Sequence, residues 1–245
     1  MKPPELSIVI PAFNEKDRLP SFLQALSVCL AQLDVGGEIL VVDDGSDPAH
    51  RLAYQALTRS ITEAPIRVLT HSRNLGKGAA IRTGFQEAKG AWVGFADADG
   101  STSAAEILRL AGIARSAPAL DGVFGSRIMM LGYDVVRRTK RHLMGRIFAS
   151  LAFACLRVPV YDSQCGCKWF RRSTVLPLLE LCREQRWLLD IELITIGYRK
   201  RLRFLEVPIS WRDVAASKVH VLRDGVRMAV GLWAIRKRLR AAGIL

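Results

Sequence analysis

The first regular segment of the chain reads Leu6-Ser7-Ile8-Val9-Ile10-Pro11-Ala12-Phe13-Asn14-Glu15, a short apolar run that ends in a polar loop. Apolar runs of similar length recur at residues 38–42, 67–70 and 92–96, and segments with helical periodicity separate them. Repeated strand, helix, strand order with apolar strands is typical of a parallel sheet that helices cover on both faces. The sequence therefore predicts an α/β fold with a mostly parallel central sheet.

The second half of the chain is less regular. Its pattern predicts strands at 122–126 and 204–208, a polar segment at 162–168, and helices at 143–156, 188–199 and about 220–240. Because no internal repeat, low-complexity tract or linker separates these elements from the first half, we expect them to extend the same domain.

Polar residues follow each of the first four predicted strands. These loops are Pro11–Glu15, Asp43-Asp44-Gly45-Ser46, Asn74-Leu75-Gly76-Lys77-Gly78 and Asp97-Ala98-Asp99-Gly100. In an open parallel sheet, ligands bind beyond the carboxyl ends of the strands. We therefore expect the four loops to converge at one edge of the sheet and to form the functional site there.

The pair Asp97 and Asp99 is the best candidate for a metal site. In an extended segment residues i and i+2 point the same way, so both carboxylates can face one hard cation such as Mg²⁺ or Mn²⁺. A solvated acidic turn is the ordinary interpretation of an isolated pair of this kind. The neighbouring Asp43 and Asp44 favour the metal, because four carboxylates at one edge repel each other unless cations or hydrogen-bond donors offset them.

The remaining motifs are weaker evidence of a functional site than the Asp97 and Asp99 pair. The Gly76-Lys77-Gly78 turn can present N–H groups and a lysine to an anion, although a simple glycine turn fits it equally well. The four histidines lack the spacing of metal ligands, and no Ser-His-Asp or Cys-His arrangement is indicated.

Taken together, the four loop motifs resemble the inverting family 2 glycosyltransferases, which have the GT-A nucleotide-diphospho-sugar transferase fold. Stretches of the second half resemble the dolichyl-phosphate β-glucosyltransferase branch of that family. They are Gly125-Ser126-Arg127, Asp162-Ser163-Gln164-Cys165-Gly166, Arg186-Trp187, Asp190-Ile191-Glu192-Leu193, and Trp211 with Ser217-Lys218. Ser101 stands where the mannosyl branch is expected to carry Gln, and Cys167 replaces an expected aromatic residue.

This resemblance implies transfer of glucose from UDP-glucose to a polyprenyl phosphate, with Mg²⁺ or Mn²⁺ as cofactor. The implied nucleotide-sugar residues are Pro11, Phe13, Glu15, Asp43, Asp44, Lys77 and Asp97. The implied metal ligands are Asp97 and Asp99. The implied catalytic residues are Asp97, Asp99, Arg127, Asp190 and Glu192. The implied acceptor residues are Arg127, Arg212, Ser217 and Lys218. Mannose or another sugar, and another lipid acceptor, are the alternatives.

The acceptor's chemistry bears on the need for a base. A phosphate monoester has a second pKa of about 6, so it is mostly dianionic near neutrality and already a nucleophile. A hydroxyl acceptor would need a general base, and the sequence leaves open whether Asp190 or Glu192 serves as one.

The net charge of +13 lies entirely in the second half, because residues 1–125 carry −2 and residues 126–245 carry +15. A basic half suits an anionic partner. We expect that partner to be a lipid phosphate and an anionic membrane surface. Aromatic residues for base stacking are sparse there, so nucleic acid is not expected.

Two basic, apolar segments fit a membrane partner, namely 143–156 and 219–240. Helices that pack in the core are the alternative for each. We expect residues 1–218 to form the GT-A domain and residues 219–245 to form a basic amphipathic, membrane-associated helix. The pattern leaves the oligomeric state open.

Membrane topology and compartment follow from two further features. The chain has no run of 18 apolar residues, so no spanning helix is expected. Five cysteines without a C-x-x-C pair are typical of reduced thiols. We therefore expect a cytoplasmic protein that lies peripherally on the cytoplasmic face of a membrane.

Overall fold

The structure is a computed structural model that describes residues 4–136, 139–214 and 221–245, without the side chains of residues 139–142, 144 and 221–226. The strands are β1 Leu6–Ala12, β2 Gly37–Asp43, β3 Ile66–Thr70, β4 Trp92–Ala96, β5 Gly122–Ser126, β6 Val135–Val136, β7 Cys167–Arg171, β8 Phe204–Pro208 and β9 Trp211–Arg212. The helices are α1 Leu19–Ala31, α2 Pro48–Ser60, α3 Lys77–Glu87, α4 Ala104–Ser116, α5 Thr139–Leu156, α6 Arg172–Leu181, α7 Leu189–Arg199 and α8 Val221–Ala241.

Seven strands form one sheet in the order β3-β2-β1-β4-β7-β5-β8, and β6 pairs separately with β9. Within the seven-stranded sheet β7 is antiparallel to both of its neighbours, whereas all other pairs are parallel. The α/β fold with a mostly parallel sheet is therefore confirmed.

The sheet is buried on both faces because alternate strand residues enter two separate cores. Ile8 and Ile39 pack on one face with residues of α1, α2 and α4. Val9 and Leu40 pack on the other face with residues of α3, α5, α6, α7 and α8. This arrangement explains the continuous apolar strands, since a strand covered on both faces shows no polar alternation.

Besides the two-residue strands β6 and β9, three elements were not predicted from the sequence. They are α4, α6 and β7, and β7 begins inside the segment interpreted as polar. Lys168 is the second residue of β7. A lysine is not typical of a buried strand, so the sequence pattern did not indicate one here, yet the Lys168 side chain is fully buried. Ser103 caps α4 by accepting the Glu106 N–H at 3.3 Å.

The C-terminal helix α8 contributes to the core and also exposes apolar side chains. Leu232, Ile235 and Leu239 are buried in the cluster shared with α3 and α7. Val230 is 62% exposed and Trp233 is 61% exposed. One face of α8 therefore packs in the core, and association of its exposed face with a membrane stays a prediction. Among the described residues no helix is long and apolar enough to cross a bilayer.

The sheet order creates a crevice between β1 and β4. The chain runs outward from β1 through β2 to β3 and then returns to the other side of β1 as β4. The strand order reverses at this point, and open α/β sheets bind ligands at the carboxyl ends of the strands where it does so. Because β7 is antiparallel and Cys167 pairs with Ala96, the residues that precede β7 lie at the same edge.

Candidate active site

A cavity of about 540 Å³ lies at this edge of the sheet. Nine of the residues predicted from the sequence line it: Pro11, Phe13, Glu15, Asp44, Lys77, Asp97, Asp99, Arg127 and Asp190. Asp43, Glu192 and Arg212 are not among the lining residues. Ser217 and Lys218 lie outside the described residues.

The loop after β1 forms one wall of the cavity. Arg18 donates through Nε and Nη2 to the two carboxylate oxygens of Glu15, at 2.7 and 2.6 Å. The Glu15 N–H donates to the Tyr54 hydroxyl at 2.6 Å, which fixes the loop to α2. Phe13 is 37% exposed, so its ring offers an apolar surface beside these charges.

The two aspartates that end β2 have different environments. Asp44 lines the cavity and accepts the N–H groups of Leu75 and Gly76 at 2.9 and 2.8 Å. His71 Nδ1 lies 2.8 Å from the same carboxylate. Asp43 instead accepts the Ser46 N–H at 2.9 Å. Asp44 therefore holds the loop that leads to Lys77, and Asp43 stabilises its own turn.

Asp97 and Asp99 follow β4 and both face the cavity. Asp97 forms an ion pair with Lys77, and Asp99 accepts the Ser101 N–H at 2.9 Å. Burial alone would lower the pKa of the Lys77 ammonium, but the carboxylates around it, foremost Asp97, raise that pKa. Lys77 is therefore a fixed positive charge among carboxylates.

Asp97 lies directly against the backbone of Gly166. The Asp97 N–H donates to the Gly166 carbonyl at 3.0 Å, and a Cβ atom on Gly166 would overlap the Asp97 carboxylate. The segment before β7 must therefore carry glycine at this position, because only glycine lets the backbone approach a side chain so closely.

The chemistry of this donor set fits a divalent cation. Asp97 and Asp99 offer hard carboxylate oxygens on one wall, as Mg²⁺ and Mn²⁺ prefer. Among the described residues no group of three or more His, Cys, Asp or Glu could hold a metal by itself. The two carboxylates thus suit a cation whose other ligands are diphosphate oxygens and water, which is how Mg²⁺ usually binds at nucleotide sites.

Asp190, at the start of α7, is held by three donors. Lys168 Nζ donates to Oδ2 at 3.0 Å, while Gln164 Nε2 and the Ile191 N–H donate to Oδ1 at 3.1 and 2.8 Å. Lys168 is fully buried, and Phe95 lies under its ammonium at 5.5 Å. The carboxylate is therefore oriented and balanced by a buried cation, and sequence reasoning did not assign Lys168 or Gln164.

Glu192 faces away from the cavity. Its carboxylate is fully buried, accepts the N–H groups of Arg183 and Glu184 at 3.0 and 2.8 Å, and forms an ion pair with Arg238 of α8. Residues two apart on a helix do not share a face, which separates Glu192 from Asp190. Its role in the structure is to hold the segment before α7.

Arg127 follows β5, lines the cavity and forms an ion pair with Asp162. It donates to both oxygens of Asp162 at 2.7 and 2.8 Å, and its guanidinium lies 5.3 Å from the ring of Trp211. Burial alone would raise the pKa of the Asp162 carboxyl, but Arg127 lowers it well below the usual range. Asp162 thereby fixes the position and charge of Arg127.

Of the four predicted acceptor residues, Arg212 is the second that the structure describes, and it lies on β9. Arg212 is exposed, and its N–H donates to the Ser101 carbonyl at 3.1 Å, which ties β9 to the loop after Asp99.

The cavity also has an apolar wall that the sequence motifs do not identify. Ile147, Phe148 and Leu151 of α5 contribute to it, together with Met228 of α8. Charged groups and apolar side chains therefore line the same cavity, which suits a ligand with an anionic head and a hydrocarbon tail.

Comparison with known proteins agrees with this geometry. Residues 7–176 match the family model described as Glycosyl transferase family 2. The chain is 31% identical to dolichyl-phosphate beta-glucosyltransferase of Saccharomyces cerevisiae, over 94% of this chain and 74% of that protein. It is 32% identical to the protein of that name from Drosophila melanogaster, over 94% of this chain and 77% of that protein.

A solved structure shares the fold at lower identity. Glucosyl-3-phosphoglycerate synthase from Mycobacterium tuberculosis, in complex with Mn²⁺, UDP-glucose and phosphoglyceric acid, superposes with a TM-score of 0.71 at 20% identity. The match covers 99% of this chain and 81% of that one. The fold is thus the GT-A fold, and the chain belongs to glycosyl transferase family 2 as a hexosyltransferase related to the dolichyl-phosphate beta-glucosyltransferases.

Proposed function

We propose that the protein transfers glucose, with inversion, from UDP-glucose to a polyprenyl phosphate and releases UDP. The observation that carries the proposal is that one cavity is lined both by charged side chains of the strand-end loops and by apolar side chains of α5 and α8. We call these two sets of residues the charged wall and the apolar wall. The relatives named dolichyl-phosphate beta-glucosyltransferase support the transfer of glucose to a lipid phosphate of this class.

The charged wall suits the donor. Phe13, Glu15 and Asp44 would border the nucleoside, and Lys77 with the two aspartates after β4 would face the diphosphate. A divalent cation, Mg²⁺ or Mn²⁺, bound by Asp97 and Asp99 would supply positive charge to the diphosphate as it leaves. The complex of the mycobacterial synthase with Mn²⁺ and UDP-glucose supports a cofactor of this class.

The apolar wall, with Arg127, suits the acceptor. Arg127 would bind the phosphate, and Arg212 and Lys218 would complete its cationic surroundings, while the hydroxyl of Ser217 would offer a hydrogen bond; Ser217 and Lys218 lie outside the described residues. The first isoprene units would lie against Ile147, Leu151 and Met228. An anionic head and an apolar tail thus meet the matching walls of one cavity.

The proposed reaction depends more on the position of the acceptor phosphate relative to the sugar than on proton transfer by a general base. A phosphate oxygen attacks the anomeric carbon as the bond from that carbon to the diphosphate breaks, and the electron pair leaves with UDP. The dianionic acceptor carries no proton that must be removed. This agrees with Asp190, whose two oxygens already accept three hydrogen bonds. Lys168 would keep that carboxylate from repelling the acceptor, and Lys77 would balance charge on UDP.

Such an acceptor would bring the enzyme to a membrane. The exposed Val230 and Trp233 of α8, with the positive charge of the second half, support peripheral attachment to an anionic, cytoplasmic membrane face through residues 219–245. The remaining residues would form the catalytic GT-A domain.

The test is incubation of the purified protein with a short polyprenyl phosphate, Mg²⁺ or Mn²⁺, and a panel of UDP- and GDP-sugars. We expect lipid-linked glucose from UDP-glucose. Product from GDP-mannose alone would overturn the choice of sugar, and transfer to a polyprenol but not to its phosphate would overturn the acceptor.

Asp99→Asn should lower metal-dependent turnover by about 10²-fold or more, since the metal site loses a charged ligand. Asp17→Asn, which removes an exposed carboxylate after β1, is the matched control and should keep full turnover. Unchanged activity of Asp99→Asn would remove Asp99 from the metal site.

A further inference from the structure

The turn Met129–Leu131 presents three consecutive large apolar side chains to solvent. Met129 is 75% exposed, Met130 50% and Leu131 99%. The turn closes with the Tyr133 N–H donating to the Met130 carbonyl at 3.1 Å, and Gly132 adopts a φ of +90° that favours glycine. A contiguous apolar patch of this kind on a folded chain indicates an interaction surface.

Both ends of this turn are fixed to the body of the protein. Arg127 precedes it and is held by Asp162. After it, the ring of Tyr133 lies 5.5 Å from the Arg109 guanidinium, and the Trp211 N–H donates to the Asp134 carbonyl at 2.7 Å. The apolar tip therefore projects from a defined base.

That base is the wall of the active-site cavity, because Arg127 and Trp211 both line it. On α5 the exposed Leu143, Ile147 and Leu151 recur at every fourth residue and so share one helix face. The last two of these also line the cavity. We call the turn and this helix face together the docking rim, comprising Met129, Met130, Leu131, Leu143, Ile147 and Leu151.

The charges near the rim indicate what it binds. Exposed aromatic rings on α5, on α8 and in the loop after α5 each lie beside a cation. The pairs are Arg157 with Phe153 at 5.8 Å, Lys237 with Trp233 at 5.6 Å and Arg146 with Tyr161 at 4.0 Å. Aromatic rings beside Lys or Arg are typical of the boundary between lipid headgroups and hydrocarbon.

We propose that the docking rim inserts into the surface of an anionic lipid bilayer, with the turn Met129–Leu131 as its leading element. The proposal rests on the proposed function, because the apolar wall of the cavity then opens toward the hydrocarbon from which a lipid acceptor arrives. In this proposal the element that enters the bilayer is the turn between β5 and β6. The helix α8 by itself would only lie on the surface of the bilayer.

The test compares binding of the full chain to phosphatidylcholine vesicles with and without about one third phosphatidylglycerol, by co-sedimentation. We expect binding to the anionic vesicles that weakens about tenfold or more in the double variant Met129→Ser/Leu131→Ser, since two apolar side chains no longer enter the bilayer. Leu52→Ser is the matched control, because Leu52 is 67% exposed on α2, and it should bind as the wild type does.

Three results would overturn the proposal. They are wild-type protein that does not bind anionic vesicles, a double variant that binds as tightly as the wild type, and a wild-type dimer in gel filtration that the double variant converts to monomer. The last would assign the rim to contact between copies of the chain. A melting temperature equal to that of the wild type shows that the variant is folded.

Transfer to a short, detergent-dispersed polyprenyl phosphate separates this proposal from the proposed function. We expect the double variant to retain that activity, because its two substituted residues do not line the cavity. If the protein binds anionic vesicles but transfers no sugar, the proposed glucosyl transfer is wrong, whereas the insertion of the docking rim into the bilayer is still supported.

Discussion

Glu192 of α7 and Arg238 of α8 form an ion pair beneath the active site. The same carboxylate accepts the N–H groups of Arg183 and Glu184, just before Arg186 and Trp187 in the cavity wall. The pair therefore joins the C-terminal helix to a wall of the active site, although neither Glu192 nor Arg238 lines the cavity.

Arg238→Met should lower thermal stability and raise the KM for the donor, because Glu192 is left as a buried, unpaired charge and the 183–187 segment loosens. Breaking a buried ion pair in this way costs about 3 kcal/mol. Arg240→Met, which removes an exposed arginine of the same helix, is the control. Equal melting temperatures for the two variants would contradict this role.

Lys168 and Asp190 should behave as a coupled pair. Lys168→Met leaves the carboxylate without its cation, and Asp190→Asn leaves a buried ammonium alone, so each should destabilise the protein by about 3 kcal/mol. The double variant should recover most of that stability, because neither charge then remains, but it should not recover kcat.

Unfolding curves and steady-state kinetics of the two single variants and the double variant measure this coupling. Strictly additive losses of stability would mean that the 3.0 Å contact contributes no coupling.

Gly166→Ala should reduce turnover strongly, because the new methyl group would displace the Asp97 carboxylate from the cavity wall. Gly112→Ala is the matched control. Its Cβ has no neighbour within 4 Å in the middle of α4, so it should keep activity and gain about 0.5–1 kcal/mol of stability. Normal metal-dependent turnover of Gly166→Ala would show that Asp97 can move without consequence.

Asp162 should make stability depend on pH in the acidic range. Arg127 lowers its pKa in the folded state, so the pair stabilises the fold above the unfolded value of about 3.9, and this contribution is lost as the pH falls below it. Asp162→Asn should therefore melt well below the wild type at neutral pH, and the difference should narrow in acid. Melting temperatures from neutral to acidic pH measure this, and a constant difference would contradict it.

The first half of the fold could be predicted because each apolar run there corresponds to one buried parallel strand. The loops that follow, including Asp44, Lys77, Asp97 and Asp99, were placed at the correct edge for the same reason. Parallel strands with helical connections leave few alternative topologies, and ligand sites lie at their carboxyl ends.

The second half could not be predicted in the same way. An antiparallel strand inserted between β4 and β5 breaks the strand and helix alternation, and Lys168 within it is a residue type that is seldom fully buried. Asp190 and Glu192 look equivalent in sequence because both are acidic and close together. Because they lie two residues apart on a helix, Asp190 faces the cavity and Glu192 faces Arg238.

The position of β7 also has a consequence for how the chain folds. β4 and β5 are consecutive strands, yet neither contacts the other in the sheet, because β7 fills the space between them. About 40 residues separate the end of β5 from the start of β7. The pairing of β7 with β4 and β5 therefore joins residues that are far apart in sequence, and such contacts are slow to form. Trp169, fully buried on β7, is a native fluorescent reporter of that late closure.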